Sequence, residues 1–149
     1  VELSEKRVTQ ARMAAAKLQV RNASFICAES SSGNFPDRFH AAYCIDLLHH
    51  MPPQAADQLL ERLYQGLEPG GTIVIKDINT HPRLMLWFTF LLDWLVNPKD
   101  SFYYRHASTW QERLTEAGFA SLYVYPLRNL LPYPHFLLTG RKPAPPAQP

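Results

Sequence analysis

The chain has 149 residues and a formal net charge of +2, a length suited to one domain with a single core. Hydrophobic residues make up 46% of it and charged residues 19%, a balance that excludes an intrinsically disordered protein. The 15 Lys and Arg residues are scattered and form no basic stripe, so the composition argues against nucleic acid as a partner.

The first part of the chain predicts the end of a strand followed by an amphipathic helix. Residues 1–3 (Val-Glu-Leu) are typical of a strand end, and Ser4 is suited to cap a helix. The apolar stripe of that helix recurs at spacings of three and four: Val8, Ala11, Ala15 and Leu18. Because the chain opens on a strand end and without Met, we expect a fragment of a larger domain.

Two apolar runs, residues 24–28 and 41–45, predict the next strands. The second has no polar alternation, as expected of a parallel strand covered on both faces, and Asp46 ends it. Cys27 and Cys44 lie inside these runs, which favours two buried, reduced thiols over a disulfide. Reduced thiols indicate a reducing compartment, and we expect a cytoplasmic protein.

A second helix and a third strand follow. Pro52 blocks any helix arriving from upstream, and the sequence Glu-Pro-Gly-Gly at residues 68–71 stops the new one. The apolar stripe of this helix comprises Ala56, Leu59, Leu60, Leu63 and Leu67. Residues 72–75 are β-branched and apolar and predict a strand, which runs into Asp77. A second carboxylate therefore stands at a strand's C-terminal end.

The last part of the chain predicts a helix and a hairpin. Ser108 and Gln111 have the spacing of a capping box, Trp110, Leu114 and Ala117 form the inner stripe, and Gly118 suits a left-handed helix terminus. Two further apolar runs are joined by a short Pro-containing turn, so they should pair antiparallel: residues 122–127 and 136–140.

Together these elements predict the α/β class. Alternation of strand and helix up to residue 76 is typical of a Rossmann-like, doubly wound, mostly parallel sheet, and the closing hairpin adds an antiparallel strand. We expect one domain over residues 1–142. Residues 143–149 contain four prolines and predict a disordered tail.

Two stretches resemble the class I S-adenosylmethionine-dependent methyltransferases. Residues 39–51 end in Leu-Leu-His-His-Met, and residues 67–77 run from Leu-Glu-Pro-Gly-Gly to Asp. In that family the fourth strand precedes a hydrophobic-His segment, and a Leu-x-Pro-Gly-Gly turn introduces a fifth strand that ends in an acidic residue. Residues 106–119 and the hairpin are similar to the family's last helix and last two strands, and residues 1–4 to the end of its second strand.

The resemblance implies methyl transfer from S-adenosylmethionine to a small, apolar or lipid-like acceptor. The family's first strand and its Gly-x-Gly-x-Gly loop would precede residue 1, so the resemblance implies a partial methyltransferase domain. Two alternatives were weighed. A nicotinamide-dependent oxidoreductase is weak because these residues hold no Tyr-x-x-x-Lys pair and no dinucleotide glycine loop. A degenerate methyltransferase-like scaffold or binding module without catalysis stays open.

Candidate cofactor residues follow the strand ends, because open α/β sheets bind ligands there. Glu2, with Leu3 beside it, offers two acceptors to a ribose diol; an exposed acid that caps a helix is the alternative. The resemblance places Ala28 and Glu29 at the adenine edge; an ordinary polar loop is the alternative. Asp46 would lie near the sulfonium or amino group, or would simply cap a helix.

His49 and His50 are the candidate catalytic residues. Histidine is suited to act as a general base toward a substrate hydroxyl, since imidazole exchanges protons near neutral pH. A structural role is the alternative. A metal site would need a third ligand that the sequence does not identify, so we predict no metal.

An apolar run at residues 84–96 is interrupted by Asp93 and is too short to span a bilayer. It predicts a helix packed in the core, an apolar wall of the substrate site, or a peripheral membrane contact.

Overall fold

The computed structural model describes residues 1–2, 4–28, 38–96, 98–127 and 132–145. The chain forms two compact units, Val1–Pro36 and Asp37–Pro149. The first contains α1 (Glu5–Lys17). The second contains, in chain order, β1 (Phe39–Ile45), a 3-10 turn (Leu48–His50), α2 (Pro53–Gly66), β2 (Leu67–Ile78), α3 (Arg83–Val96), α4 (Ala107–Glu116), β3 (Ala120–Pro126) and β4 (His135–Arg141). Residues 146–149, the end of the expected tail, lie outside the described residues.

The first unit is built around the predicted helix. The Oγ of Ser4 accepts a hydrogen bond from the backbone N–H of Arg7 at 3.4 Å, and Val8 is buried. The expected burial of Leu18 is wrong: the helix ends at Lys17, and Leu18 is 73% exposed. The strand expected at residues 24–28 is reduced to one parallel bridge between Glu2 and Cys27. Cys27 is exposed, contrary to prediction, because so short a pairing encloses little side-chain surface.

The second unit is a four-stranded sheet in the order β1-β2-β4-β3. Strands β1 and β2 are parallel, whereas β4 is antiparallel to both of its neighbours. The α/β class and the antiparallel closing hairpin are therefore confirmed. Strand β1 lies at the edge, with Ala42 and Cys44 buried and Tyr43 and Ile45 exposed. The expectation that both faces of this strand are covered is wrong here, because only one face packs against the core.

Strand β2 starts five residues earlier than predicted, at Leu67, which had been assigned to the helix stripe. Gly70 takes a left-handed φ of +80°, and a side chain on Gly71 would meet the Glu68 carbonyl at 2.8 Å. Glycine at both positions lets the backbone pair with the end of β4, where Lys142 donates its N–H to the Gly71 carbonyl at 2.9 Å. The turn thus forms part of the strand.

The core lies where α2 and α4 pack on the sheet. The predicted stripe of α2 is buried, as are Trp110 and Leu114 of α4. Helix α4 begins at Ala107, and its cap is His106 and not Ser108 as predicted, because the ring of His106 accepts a hydrogen bond from the backbone N–H of Ser108. Gly118 has a φ of +102°, which confirms the left-handed terminus.

Candidate active site

A histidine and an aspartate meet at the carboxyl edge of the two parallel strands. His49 lies in the 3-10 turn after β1, and Asp77 is the penultimate residue of β2. The Nδ1 of His49 is 2.5 Å from Oδ1 of Asp77, and the His49 backbone N–H donates to Oδ2 at 3.2 Å. Both side chains are almost completely buried, 4% and 1% exposed. Two contacts to one carboxylate fix the imidazole in a single orientation.

This geometry assigns the protons of the ring. A carboxylate only accepts hydrogen bonds, so the Nδ1 of His49 must donate to Asp77, and the other nitrogen, Nε2, is left to accept a proton. Within the described part of the chain, Nε2 has no hydrogen-bond partner. The pair of His49 and Asp77, which we call the His–Asp dyad, has the arrangement of a general base with an orienting acid.

The segment after α3 packs against the dyad. Tyr104 stacks on the ring of His49, with centroids 5.6 Å apart, and its hydroxyl donates to Asp93 of α3 at 2.6 Å. Burial, followed by that hydrogen bond, raises the pKa of the Tyr104 hydroxyl well above its usual range, so the phenol stays neutral. The backbone N–H of Tyr103 donates to the His49 carbonyl at 2.7 Å. The segment therefore holds the turn in place and supplies an apolar cover for His49.

His50 is less suited to act as the base. Its Nδ1 is buried, has no hydrogen-bond partner among the described residues, and lies 3.8 Å from a carboxylate oxygen of Asp100. Its ring contacts Phe102 edge-on. Burial, and then the neighbouring His49, lower the pKa of His50, so it is uncharged at neutral pH. Both predicted histidines lie at one place, but within the described ranges a side-chain hydrogen bond orients the ring of His49 and none orients that of His50.

Asp46 is held on the same sheet edge by a separate cluster. Its carboxylate is 2.5 Å from the ammonium of Lys76 and 3.7 Å from Nε2 of His135. Asp46 has a left-handed φ of +47°, a conformation more readily adopted by aspartate than by most residues. Its side chain remains 41% exposed. The role of Asp46 in cofactor binding stays a prediction.

In the first unit, the carboxylate of Glu2 accepts a hydrogen bond from the backbone N–H of Ser4 at 2.9 Å and lies 3.7 Å from Arg7. Glu2 thus caps the start of α1, the alternative weighed above, and its side chain remains 38% exposed. Ala28 donates its N–H to the Glu2 carbonyl at 3.1 Å, so these two predicted cofactor residues are neighbours. Leu3 and Glu29 lie outside the described residues.

Helix α3 is not packed in the core, which was one of the three expectations for its sequence. Leu84, Trp87, Leu91 and Trp94 follow one another at spacings of three and four, and they are 79%, 61%, 42% and 51% exposed. Of its side chains, only Thr89 is buried. No helix among the described residues is long and apolar enough to cross a membrane.

A groove of about 480 Å³ opens between the start of α3 and Tyr104. Since Tyr104 also stacks on His49, the groove leads to the cover of the dyad. No group of three or more His, Cys, Asp or Glu among the described residues could hold a metal ion. The chemistry available at this edge is thus proton transfer near a groove lined by aromatic, aliphatic and polar side chains.

Asp77 is the site residue that sequence reasoning missed. Its position at a strand end was noted, but no partner was assigned to it. A signal was available: the carboxyl ends of adjacent parallel strands meet at one edge, so a residue that ends β2 and a residue that follows β1 are expected to be neighbours.

Comparisons with known proteins agree with this architecture. Residues 1–71 match the family of methyltransferase domains. A ubiquinone biosynthesis O-methyltransferase from Pseudomonas savastanoi pv. phaseolicola is 24% identical over 72 residues, which cover 48% of this chain and 30% of the relative. The chain therefore spans less than a third of that relative.

Two solved structures extend the likeness to nearly the whole chain. The S-adenosylmethionine-dependent methyltransferase SibL, in its apo form, matches with a TM-score of 0.78 at 18% identity, over 96% of this chain and 42% of SibL. The [4+2]-cyclase SpnF matches with a TM-score of 0.75 at 16% identity, over 96% of this chain and 64% of SpnF. With the strand order described above, these likenesses identify the fold of the chain as that of the class I S-adenosylmethionine-dependent methyltransferases.

Proposed function

We propose that the protein transfers the methyl group of S-adenosylmethionine to a hydroxyl of a small, apolar or lipid-like acceptor. The observation that carries the proposal is the His–Asp dyad, in which Asp77 orients His49 and leaves Nε2 ready to take a proton. A methyltransferase fold and a buried, oriented base together favour an acceptor that must lose a proton, as a hydroxyl does.

The chain's own residues have three tasks in this reaction. His49 removes the acceptor's proton, Asp77 stabilises the imidazolium that results, and Tyr104 covers the ring and excludes water. When bound, S-adenosylmethionine supplies a methyl group that is already activated by its sulfonium. The enzyme's remaining contribution is alignment of the hydroxyl with the methyl carbon.

The described cofactor candidates fit the chemistry of this cofactor. Glu2 and Asp46 each keep a partly exposed carboxylate, which suits a ribose diol in the first case and a cationic group in the second. The hydrogen bonds and ion pairs of Glu2 and Asp46 leave part of each side chain exposed to solvent. The two assignments remain proposals, since the contacts described above are also those of a helix cap and an ion pair.

The acceptor class rests on α3 and the groove. The exposed face of Leu84, Trp87, Leu91 and Trp94 presents a large apolar surface, larger than a solvated helix needs. The groove beside it is lined mainly by apolar and aromatic side chains and opens toward Tyr104. A lipid-like acceptor would be drawn from a membrane on which this face rests, so we include a peripheral membrane contact through residues 84–96 in the proposal. Some Pseudomonas relatives carry the name ubiquinone biosynthesis O-methyltransferase, which supports a hydroxyl acceptor.

The test is methyl transfer from tritium-labelled S-adenosylmethionine by the full-length protein, with catechols of increasing alkyl chain length as acceptors. Replacing His49 with Gln should lower kcat by about 10²–10⁴-fold, the usual contribution of a general base. The matched control is His40→Gln, because His40 is an exposed histidine of β1. If His50→Gln lowered kcat and His49→Gln did not, the assignment of the base would be wrong.

A second candidate function is a methyltransferase-like module that binds ligands without methyl transfer. The specific observation in its favour is the likeness to SpnF, a protein of this fold whose name describes a cyclase. Cofactor binding without transfer to any hydroxyl acceptor would favour this alternative.

A further inference from the structure

The lining of the groove beside α3 combines two kinds of side chain. Thr80, His81 and Arg83, at the end of the loop after β2 and the start of α3, are polar or charged. Leu86, Trp87, Phe90 and Tyr104 are aliphatic or aromatic. Because Arg83, Trp87 and Phe90 recur at spacings of four and three, the cation lies on the same face of α3 as the aromatic side chains. A purely apolar acceptor would leave the cation and the hydrogen-bond donors unmatched.

Arg83 lacks the partners that neighbouring arginines have. Arg105 is paired with Asp57 at 2.8 Å, and Arg113 with Glu116 at 2.6 Å. Within the described ranges, Arg83 forms no ion pair and no hydrogen bond, and the lining of the groove includes no Asp or Glu. The guanidinium charge is therefore uncompensated. A guanidinium presents its N–H groups in a planar fork that matches a carboxylate with two parallel hydrogen bonds.

The aromatic wall connects this charge with the reacting end of the site. Trp87 and Phe90 are three residues apart and share a helix face, and Tyr104 continues the wall to the ring of His49. An aromatic ring against Trp87 and Phe90 would have Arg83 at one end and Tyr104, which stacks on His49, at the other. The lining thus matches an aromatic molecule that carries an anion at one end.

We propose that the groove binds the anionic end of an aromatic acceptor, with a carboxylate on Arg83 and the ring against Trp87, Phe90 and Tyr104. This inference rests on the proposed function, since it takes the groove as the acceptor's place. It makes Arg83 a specificity-determining residue that favours, among otherwise apolar aromatic acceptors, those that carry a carboxylate. The phosphate of a lipid headgroup is the other source of an anion at this position, and the experiment separates the two.

The first arm measures binding of benzoate and of benzyl alcohol to the full-length protein by isothermal titration calorimetry, with tryptophan fluorescence as a second readout of the groove. Benzoate should bind more tightly than benzyl alcohol. Replacing Arg83 with Gln should weaken benzoate binding about tenfold or more and leave benzyl alcohol unchanged, while Arg83→Lys should restore part of the affinity. Lys99→Gln is the matched control, because Lys99 is an exposed cation beyond α3 that does not line the groove.

Equal binding of the two probes, or equal weakening by Arg83→Gln and Lys99→Gln, would overturn the inference. The second arm measures co-sedimentation with vesicles of phosphatidylglycerol. If Arg83→Gln reduced vesicle binding and left benzoate affinity intact, the anion would be a lipid headgroup and the inference would be wrong. Because neither arm needs turnover, Arg83-dependent benzoate binding without methyl transfer would contradict the proposed function and leave the binding site standing. Circular dichroism of each variant verifies that it folds.

Discussion

Replacing Trp87 with Ala tests whether this residue belongs to the wall of the substrate site or to the protein core. A fully buried Trp replaced by Ala costs about 3–5 kcal/mol of unfolding free energy. Trp87 is 61% exposed, so only the remaining part of its surface is lost from packing, and the expected cost is about 1–2 kcal/mol. Trp110 is 1% exposed and provides the matched control, for which the full cost of about 3–5 kcal/mol is expected.

Denaturant unfolding of both variants measures the two costs, and acceptor kinetics of the folded Trp87→Ala protein measure its role in binding. The Michaelis constant for a long-chain catechol should rise, with cofactor affinity unchanged. Liposome co-sedimentation checks for a lost membrane contact. If Trp87→Ala cost as much stability as Trp110→Ala and left the acceptor kinetics unaltered, α3 would be a core helix and the reasoning about its exposed face would be refuted.

Three further predictions concern single groups. Burial raises the pKa of the Cys44 thiol to about 12, whereas Cys27 is exposed. Iodoacetamide at mildly alkaline pH should therefore alkylate Cys27 and leave Cys44 unmodified until the protein unfolds. Labelling of both cysteines in the native protein would contradict this prediction. Because folding lowers the pKa of His50, the unfolded chain binds a proton more readily than the folded protein, and the free energy of unfolding should fall as the pH drops below the ordinary histidine pKa of 6.5. In urea unfolding at several pH values, His50→Gln should make this fall less steep. An unchanged pH dependence would exclude His50 as its source. Gly118→Ala should lower the free energy of unfolding in urea by about 1–2 kcal/mol, because φ at this position is +102° and the new Cβ would meet the Tyr64 ring at 2.8 Å. An unchanged free energy of unfolding would show that the backbone of this turn adjusts to a side chain without cost.

Sequence patterns correctly predicted the structural features that depend on residues close together in the chain. The cap at Ser4, the stripe of α2 and the glycine that ends α4 each depend on residues within one or two turns, and the structure has all three. The capping-box spacing predicted Ser108 as the cap of α4. Nothing in that spacing indicates that the His106 ring accepts a hydrogen bond from the Ser108 backbone N–H and caps the helix instead.

Contacts between distant residues were harder to predict. Asp77 and His49 are 28 residues apart, and their meeting depends on two strands ending at one sheet edge. Likewise, the early start of β2 follows from pairing with Lys142, far along the chain. The exposure of α3 could not be read from its composition, since an apolar run fits a core, a groove wall or a membrane surface equally well. These features are set by tertiary packing and not by propensity.

In the proposed reaction, Asp77 makes His49 an effective base for methyl transfer. The most direct measurement is single-turnover transfer from S-adenosylmethionine to a catechol by the full-length Asp77→Asn protein, with cofactor affinity measured in parallel. An amide of the same shape keeps the packing but removes the charge that stabilises the imidazolium, so the rate should fall by about 10²-fold or more, with the cofactor Kd within about twofold of wild type. A rate equal to that of the wild type would contradict the account, as would a loss explained entirely by weaker cofactor binding.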